Sequence, residues 1–208
     1  MTSEKNVRQN IPNKVPCMIL CAGTSKRFGS NKMLAPLAGK PLLAHTIERL
    51  RPQVCDLALN GDGAEYDEFG LPVFPDAIGG KFGPLAGILT AMEWAAELGC
   101  ERVVTVSGDT PFVPGYLVEA LMQIPNGNVV LSQTGEQRHQ ICGLWPVCEA
   151  TNLRAFLENG RSYKVRDFLT LCETIAVKFE KKKGVDPFFN VNTREDMEIA
   201  ERILSARD

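Results

Sequence analysis

The amino-acid sequence predicts an α/β fold with a mainly parallel sheet and helices on both of its faces. Short apolar or β-branched segments, such as residues 17–21 and 102–106, alternate with longer segments that have helical periodicity. Alternating strands and helices form parallel sheets, because each helix returns the chain to the start of the next strand. Several of these strands run directly into polar or Gly-rich stretches. Since ligands of such sheets bind outside the carboxyl ends of the strands, a ligand site is predicted there.

Local signals place the individual helices and strands. Pro41 suits the first turn of a helix that Pro52 ends. Thr193 is the predicted N-cap of the last helix, and Asp196 stands in its capping-box position. The predicted strands are residues 17–21, 56–60, 73–74, 102–106, 128–132, 141–145 and 174–179, and the predicted helices are residues 42–51, 85–98, 116–122, 151–158, 163–171 and the segment after residue 193. Residues 34–41 are turn-rich.

The composition limits the classes of protein to which this chain can belong. The 208 residues are 44% hydrophobic and 23% charged, which predicts one globular domain at residues 15–208 after a loose, polar extension at residues 1–14. The net charge of -2 provides no basic field for nucleic acid or an anionic membrane. No apolar run reaches the roughly 18 residues that a membrane-spanning helix needs. The extension contains no hydrophobic stretch, so we do not expect a secretory signal.

The cysteines and histidines exclude several kinds of site. Seven cysteines are present, no Cys-x-x-Cys occurs, and His45 and His139 are the only histidines. An odd, scattered set of this kind predicts neither a disulfide framework nor a zinc site. We interpret the thiols as reduced, small core residues of a cytoplasmic protein. Neither histidine belongs to a recognisable Ser-His-Asp or Cys-His pattern, and we expect His45 to be structural.

The stretch at residues 17–32 has the residue types of a phosphate-binding loop. An apolar strand passes into small and basic residues, with Gly23 and Gly29 allowing a close approach of the backbone. Lys26, Arg27 and Lys32 add cations, and free N–H groups with cations bind phosphate. The stretch lacks the Gly-Lys-Ser/Thr of a P-loop and the Gly-x-Gly-x-x-Gly of dinucleotide-binding folds. The alternative is an ordinary turn between strand and helix with solvated cations.

Further polar residues follow other predicted strands. Asn60 ends one strand, and Asp109 follows another, where a carboxylate beside a phosphate loop suits Mg²⁺. Asp76 precedes glycines and could grip a base or ribose, while Asn190 and Asn192 would face one side of an extended segment. Each has a plainer alternative. Asp109 could form an Asx-turn, Asp76 could belong to a plain turn, and the two asparagines could cap the loop before the last helix.

These segments, taken together and in order, resemble the molybdenum cofactor guanylyltransferases, a branch of the wider nucleotidyltransferase family. The family loop Leu-Ala-Gly-Gly-x-Ser-x-Arg-Met-Gly-x-x-Lys is similar to Leu20-Cys-Ala-Gly-Thr-Ser-Lys-Arg-Phe-Gly-Ser-Asn-Lys32. Other matching segments are Gly39-Lys-Pro-Leu42, Asp76 with Gly83-Pro-Leu-Ala-Gly87, Gly108-Asp-Thr-Pro-Phe112 and Phe189-Asn-Val-Asn-Thr193. The resemblance covers about residues 15–206, nearly the whole chain.

The resemblance implies a three-layer, Rossmann-like nucleotidyltransferase fold and a reaction. GMP would pass from GTP to molybdopterin-bound molybdenum cofactor with release of pyrophosphate, and Mg²⁺ would be the cofactor. Molybdenum cofactor synthesis proteins and acceptor molybdoenzymes would be further partners. The implied site residues are Arg27, Lys32 and Asp109 for catalysis, with Asp109 on the metal; Leu20, Cys21, Ala22, Gly23, Lys32, Asn60, Asp76, Gly83, Pro84, Leu85 and Asp109 for the nucleotide; and Asn190 and Asn192 for the pterin.

The chain departs from the family pattern in two places: the family's Ala-Gly-Gly is Cys21-Ala22-Gly23 here, and its methionine is Phe28. Ala22 stands where the family has glycine, and the sister cytidylyltransferases resemble Leu-Ala-Ala-Gly there; Phe28 replaces methionine, which we expect to change packing only. A cytidylyltransferase acting on the same pterin, or on a sugar or polyol phosphate, is therefore the alternative enzyme. A GTP-binding regulatory module without turnover and a chaperone-type partner of a molybdoenzyme are the alternatives outside catalysis.

Overall fold

A computed structural model describes residues 15–21, 31–80, 82–160 and 162–206. The predicted N-terminal extension, and residues 22–30 of the predicted phosphate loop, lie outside these ranges. Seven strands form one sheet in the order β3-β2-β1-β4-β6-β5-β7, and β6 alone runs antiparallel to its neighbours. The strands of this sheet are β1 (Cys17–Leu20), β2 (Leu57–Asn60), β3 (Val73–Phe74), β4 (Arg102–Ser107), β5 (Val129–Thr134), β6 (Gln137–Pro146) and β7 (Thr174–Lys178). Pro36–Leu37 and Lys40–Pro41 pair separately as a short antiparallel hairpin. The predicted mainly parallel sheet is confirmed.

Helices cover both faces of this sheet. They are α1 (Leu42–Leu50), α2 (Pro84–Glu97), α3 (Leu117–Met122), α4 (Ala150–Glu158), α5 (Val165–Leu169) and α6 (Arg194–Ser205). One apolar core joins the sheet to α1 and α3, and a second joins it to α2, α4 and α5. A third cluster packs α6 against Leu37, Leu42 and Val191. The predicted three-layer architecture is therefore confirmed.

Strand β1 lies between the two main cores. Cys17 and Ile19 face one core and Met18 and Leu20 face the other, as the two-residue period of a strand requires. Burial on both faces explains why this strand is a continuous apolar run. Leu20 is level with the last residue of β2 and the last residue of β4. The loops that leave these three parallel strands therefore start side by side.

Most predicted elements form within a residue or two of their predicted ends, and the two largest differences have physical causes. Residues 163–171 are helical only from Val165 to Leu169, because Lys164 is extended and serves as the N-cap residue. Strand β6 begins four residues before its predicted start, because the polar stretch from Gln137 pairs with β5. The capping box of α6 is confirmed: Asp196 N donates to Thr193 Oγ1 over 3.1 Å, and Thr193 N donates to Asp196 Oδ2 over 2.9 Å.

The pairing of β5 with β6 contains a register shift. Leu131 is opposite Gly143, but the next residue, Ser132, is opposite His139. Three residues of β6, numbers 140–142, therefore fall between the two registers and bulge from the ladder. Thr105 of β4 holds this bulge by donating from Oγ1 to the carbonyl of Ile141 over 2.5 Å.

All seven cysteines lie in the described residues, and none of them forms a disulfide. Cys17, Cys21 and Cys142 are buried, and burial raises the pKa of each thiol, in Cys142 to about 12. These three are protonated packing residues, as predicted. The prediction was wrong for Cys55 and Cys148, which are exposed. In the part of the chain that the structure describes, the longest helix is the 14-residue α2, too short to cross a bilayer.

Candidate active site

The centre of the candidate site is an ion pair between Asp109 and Lys32. Asp109 follows β4 and is only 5% exposed. Its Oδ2 accepts from Lys32 Nζ over 2.5 Å, and its Oδ1 accepts from Ser107 Oγ over 2.7 Å and from Asn190 Nδ2 over 2.9 Å. These partners come from three separate segments. The contacts therefore favour the predicted role as a site carboxylate over a local Asx-turn.

The segment before α6 completes this ion-pair network. Asn192 Oδ1 accepts from Lys32 Nζ over 2.8 Å, so the two asparagines contact the two members of the ion pair. Val191, between them, is fully buried, and its backbone N–H donates to the carbonyl of Asp109 over 3.0 Å. The segment is a loop outside the sheet. Both amide side chains reach the ion pair, so they do more than cap a loop.

Gly108 lies between the end of β4 and Asp109, where there is no room for a side chain. A Cβ at this position would lie 2.9 Å from Met33 Sδ and 3.2 Å from Cys21 Sγ, so only glycine fits without movement. The Gly108 N–H donates to the carbonyl of Leu20 over 3.0 Å, and its own carbonyl accepts from Thr46 Oγ1 over 3.1 Å. These bonds fix the turn that presents the carboxylate.

A second polar contact lies at the end of β2. Asn60 is 1% exposed, and its Nδ2 donates to Asp76 Oδ1 over 3.0 Å and to the carbonyl of Phe74 over 3.2 Å. The loop after Asp76 is held by Ala77, whose N–H donates to Thr90 Oγ1 over 2.8 Å. The two residues predicted to hold a nucleoside are therefore in direct contact. Because the Asp76 carboxylate accepts a hydrogen bond from Asn60 at the end of β2, Asp76 is more than a residue of a plain turn.

Helix α2 begins at the same edge of the sheet. Gly83 has φ +60° as its N-cap residue, and Pro84 occupies the first turn, followed by Leu85. Backbone N–H groups at a helix N-terminus favour an anion. A Cβ on Gly87 would lie 2.4 Å from Asn60 Oδ1 and 3.1 Å from Leu20 Cδ2. The first turns of α2 therefore rest directly on the strand ends.

The remaining predicted nucleotide contacts are only partly placed. Leu20 accepts from Gly108 through its carbonyl, and Cys21 donates from its N–H to the carbonyl of Asn60 over 2.8 Å. These backbone groups tie the three strand ends together, and their contact with a nucleotide stays a prediction. Five predicted loop residues lie outside the described residues, namely Ala22, Gly23, Lys26, Arg27 and Gly29.

A cavity of about 530 Å³ opens beside Asp109. Its walls include Pro84, Ser107 and His139 together with Asn190 and Asn192. The lining therefore contains amide and imidazole groups that can both donate and accept hydrogen bonds. A polar ligand bound there would lie next to the ion-pair network.

The donor set at Asp109 fits Mg²⁺. This ion takes one or two protein carboxylates and completes its shell with water and phosphate oxygens. Asp109 supplies one carboxylate at the strand end, and it already attracts a cation in Lys32. Within the described ranges, no cluster of three or more His, Cys, Asp or Glu side chains could form a protein-only metal cage. A magnesium ion here would depend on the substrate for further ligands.

Two residues that hold the site were absent from the predicted set. The Ser107 hydroxyl donates a hydrogen bond to the carboxylate of Asp109, and the Thr46 hydroxyl donates one to the carbonyl of Gly108. Ser107 carries a sequence signal, because it is a hydroxyl at the end of an apolar strand, two residues before the aspartate. Thr46 carries none, since a threonine within an amphipathic helix is ordinary until the tertiary structure shows that it is buried.

The fold is that of nucleotidyltransferases, and the family match shows that the protein is an enzyme of this class. Residues 17–175 match the family model described as the MobA-like NTP transferase domain, so the chain belongs to that family. It is 39% identical over 198 residues to a molybdenum cofactor guanylyltransferase of Mesorhizobium japonicum, covering 91% of this chain and 95% of the relative. It is also 39% identical over 201 residues to one of Rhizobium leguminosarum bv. trifolii, covering 93% and 95%.

A solved structure supports the fold independently. Molybdopterin-guanine dinucleotide biosynthesis protein A from Archaeoglobus fulgidus superposes with a TM-score of 0.71 at 22% identity. The match covers 92% of this chain and 100% of that one. The two proteins therefore share the arrangement of strands and helices over almost their whole length.

We expect Gly87→Ala to weaken nucleotide binding about tenfold and to lower stability by about 1–3 kcal/mol. The added methyl would lie 2.4 Å from Asn60 Oδ1, and moving Asn60 breaks its bonds to Asp76 and Phe74. Titration calorimetry with GTP and thermal unfolding measure the two effects. Gly115→Ala is the matched control, because a Cβ there meets nothing within 4 Å. Equal behaviour of both variants would contradict the role of Gly87.

Proposed function

We propose that the protein transfers GMP from GTP to molybdopterin-bound molybdenum cofactor and releases pyrophosphate. The observation that carries the proposal is the network in which Asp109 and Lys32 meet Asn190 and Asn192. It brings the segments expected to hold phosphate, metal and pterin into contact at one end of the sheet. The curated relatives named molybdenum cofactor guanylyltransferase, similar over more than nine-tenths of this chain, support the same activity.

The chemistry needs charge neutralisation more than proton transfer. The terminal phosphate of molybdopterin is anionic near neutral pH, so its oxygen can attack the α-phosphorus of GTP without a strong base. A new P–O bond forms to the acceptor phosphate, and the bond from the α-phosphorus to the bridging oxygen of pyrophosphate breaks. The obstacle is repulsion between two anions. Lys32, next to the buried Asp109, places an ammonium where it can reduce this repulsion.

Other residues have positioning roles in this proposal. Asp109 would hold Mg²⁺, which supplies further positive charge against the phosphate oxygens when bound. Asn60, Asp76 and the start of α2 at Gly83-Pro84-Leu85 would hold the nucleoside and its phosphates, with Leu20 to Gly23 and Arg27 contributing from the loop. The cavity beside Asp109, with the two asparagines in its wall, would take the pterin.

We also propose the setting of this reaction. Residues 15–208 would act as a single nucleotidyltransferase domain in the cytoplasm, where its seven free thiols stay reduced. The product would pass to acceptor molybdoenzymes, and molybdenum cofactor synthesis proteins would supply the substrate. The competing enzyme is a cytidylyltransferase, because Ala22 matches the Leu-Ala-Ala-Gly of that group.

Pyrophosphate release with GTP or CTP is the decisive measurement. With Mg²⁺ and molybdopterin-bound cofactor, we expect kcat/KM for GTP to exceed that for CTP at least about a hundredfold, since a site built for one base leaves polar groups unpaired with another. Preference for CTP would overturn guanylyl transfer but retain the phosphate and metal roles. Nucleotide binding without release of pyrophosphate from either would favour the regulatory module.

A further inference from the structure

His139 belongs to a hydrogen-bonded chain in the wall of the cavity beside Asp109. Its Nε2 lies 2.6 Å from Thr134 Oγ1, and Thr134 Oγ1 donates to Asp186 Oδ2 over 2.8 Å. A hydroxyl has one proton, and a carboxylate only accepts, so the Thr134 proton goes to Asp186. His139 must then donate its Nε2 proton to Thr134. This assigns the tautomer of the imidazole from the geometry alone.

The same chain fixes the turn that leads to the two asparagines. Asp186 Oδ1 accepts from the backbone N–H of Phe188 over 2.8 Å, and the His139 ring packs on the Phe188 ring with centroids 4.6 Å apart. Phe188 is 2% exposed. Two residues later Asn190 bonds to Asp109, and Asn192 bonds to Lys32. A displacement of the turn at 186–188 would therefore move both amide groups.

We infer that His139 is a positioning residue for the acceptor, acting through Thr134, Asp186 and Phe188 on the loop that carries Asn190 and Asn192. The inference rests on the proposed function, and it assigns a role to a histidine outside the ion-pair network. The imidazole is neutral near pH 7, because burial lowers the pKa of His139 and nearby Lys181 lowers it further, against the opposing effect of Asp186. A neutral ring carries one N–H, and the hydrogen bond to Thr134 requires that this proton lie on Nε2.

Two substitutions at His139 separate positioning from simple stability. His139→Leu removes the donor, whereas His139→Gln retains an N–H donor at about the same distance from the backbone. In the Leu variant we expect the KM for molybdopterin-bound cofactor to rise about tenfold, the cost of one lost buried hydrogen bond. The KM for GTP should stay within about twofold, and any fall in kcat should be smaller than the rise in the acceptor KM, because Lys32, Asp109 and Ser107 keep their mutual contacts. His139→Gln should recover most of the acceptor KM. General damage to the fold would not affect one substrate selectively.

Hydrogen exchange and a second histidine complete the experiment. We expect the amides of Phe188 and Val191 to exchange faster in His139→Leu than in His139→Gln, because the first lies in the fixed turn and the second in the loop it leads to. His45→Leu is the matched control: it also removes an imidazole whose Nε2 contacts a partner, the Leu37 carbonyl at 2.7 Å, and it should leave the acceptor KM unchanged. An active wild type with an unchanged acceptor KM in His139→Leu overturns this inference alone. A wild type that transfers no nucleotide overturns the proposed function with it.

Discussion

Replacing Asp109 with asparagine is expected to lower kcat about a thousandfold. The substitution keeps the shape of the side chain but removes the negative charge that pairs with Lys32 and that would hold Mg²⁺. Asparagine can still accept from Ser107 and Asn190, so the turn after β4 should persist. Steady-state pyrophosphate release at saturating GTP measures the loss, and circular dichroism verifies the fold.

Glu48→Gln is the matched control for this substitution. Glu48 also pairs with a lysine, Lys40, at 2.7 Å, but both side chains are more than half exposed. An exposed pair contributes about 0–1 kcal/mol and has no part in the chemistry, so kcat should be unchanged. Undiminished Mg²⁺-dependent activity in Asp109→Asn would refute the assignment of Asp109 as the site carboxylate.

The second large effect is expected at Lys32. Lys32→Met preserves most of the chain length and removes the ammonium, and we expect kcat/KM to fall about a hundredfold or more. Two interactions are lost together, because Lys32 Nζ bonds both Asp109 Oδ2 and Asn192 Oδ1. The charge of Asp109 then repels incoming phosphate. The rate should therefore fall with GTP and with every competing nucleotide alike.

Lys40→Met tests whether the loss is specific to the site. It removes an ammonium from an exposed lysine–carboxylate pair and should change kcat/KM less than about twofold. The rates of both variants should be compared at two salt concentrations. Salt screens the charge of an exposed side chain, whereas it screens that of a nearly buried lysine much less. If the two lysine variants lost activity equally, a general charge effect would explain the result and Lys32 would have no special role.

The class of fold could be predicted because its causes are local. Strand β1 is apolar on both faces, α1 has one apolar face, and α6 starts with a capping box, so each element carries its own signal. The rule that parallel strands end at one edge also placed Asn60 and Asp109 correctly. Strand β6 began earlier than predicted, because its first residues are polar and pair only in the context of β5.

The contacts within the site could not be derived from periodicity. Lys32 and Asp109 are 77 positions apart, and Asn190 lies a further 81 beyond Asp109. No local pattern encodes such a meeting, and the family resemblance was what grouped these residues. Neither periodicity nor the family resemblance predicted Ser107 and Thr46. Their roles depend on the carboxylate and carbonyl oxygens to which their hydroxyl groups donate in the folded chain.

The register shift between β5 and β6 divides β6 into two parts that differ in how freely their side chains can be substituted. The part from Gly143 onward packs in the centre of the sheet, where a Cβ on Gly143 would lie 2.5 Å from the Val130 carbonyl, and it tolerates little change. Gln140 and Ile141 fall outside both registers yet line the cavity beside Asp109. The Gln140 side chain can vary without altering any strand pairing, whereas Ile141 also packs against the core under α2, α4 and α5. A family with this fold could therefore acquire new acceptor substrates at Gln140 while its nucleotide chemistry stays constant.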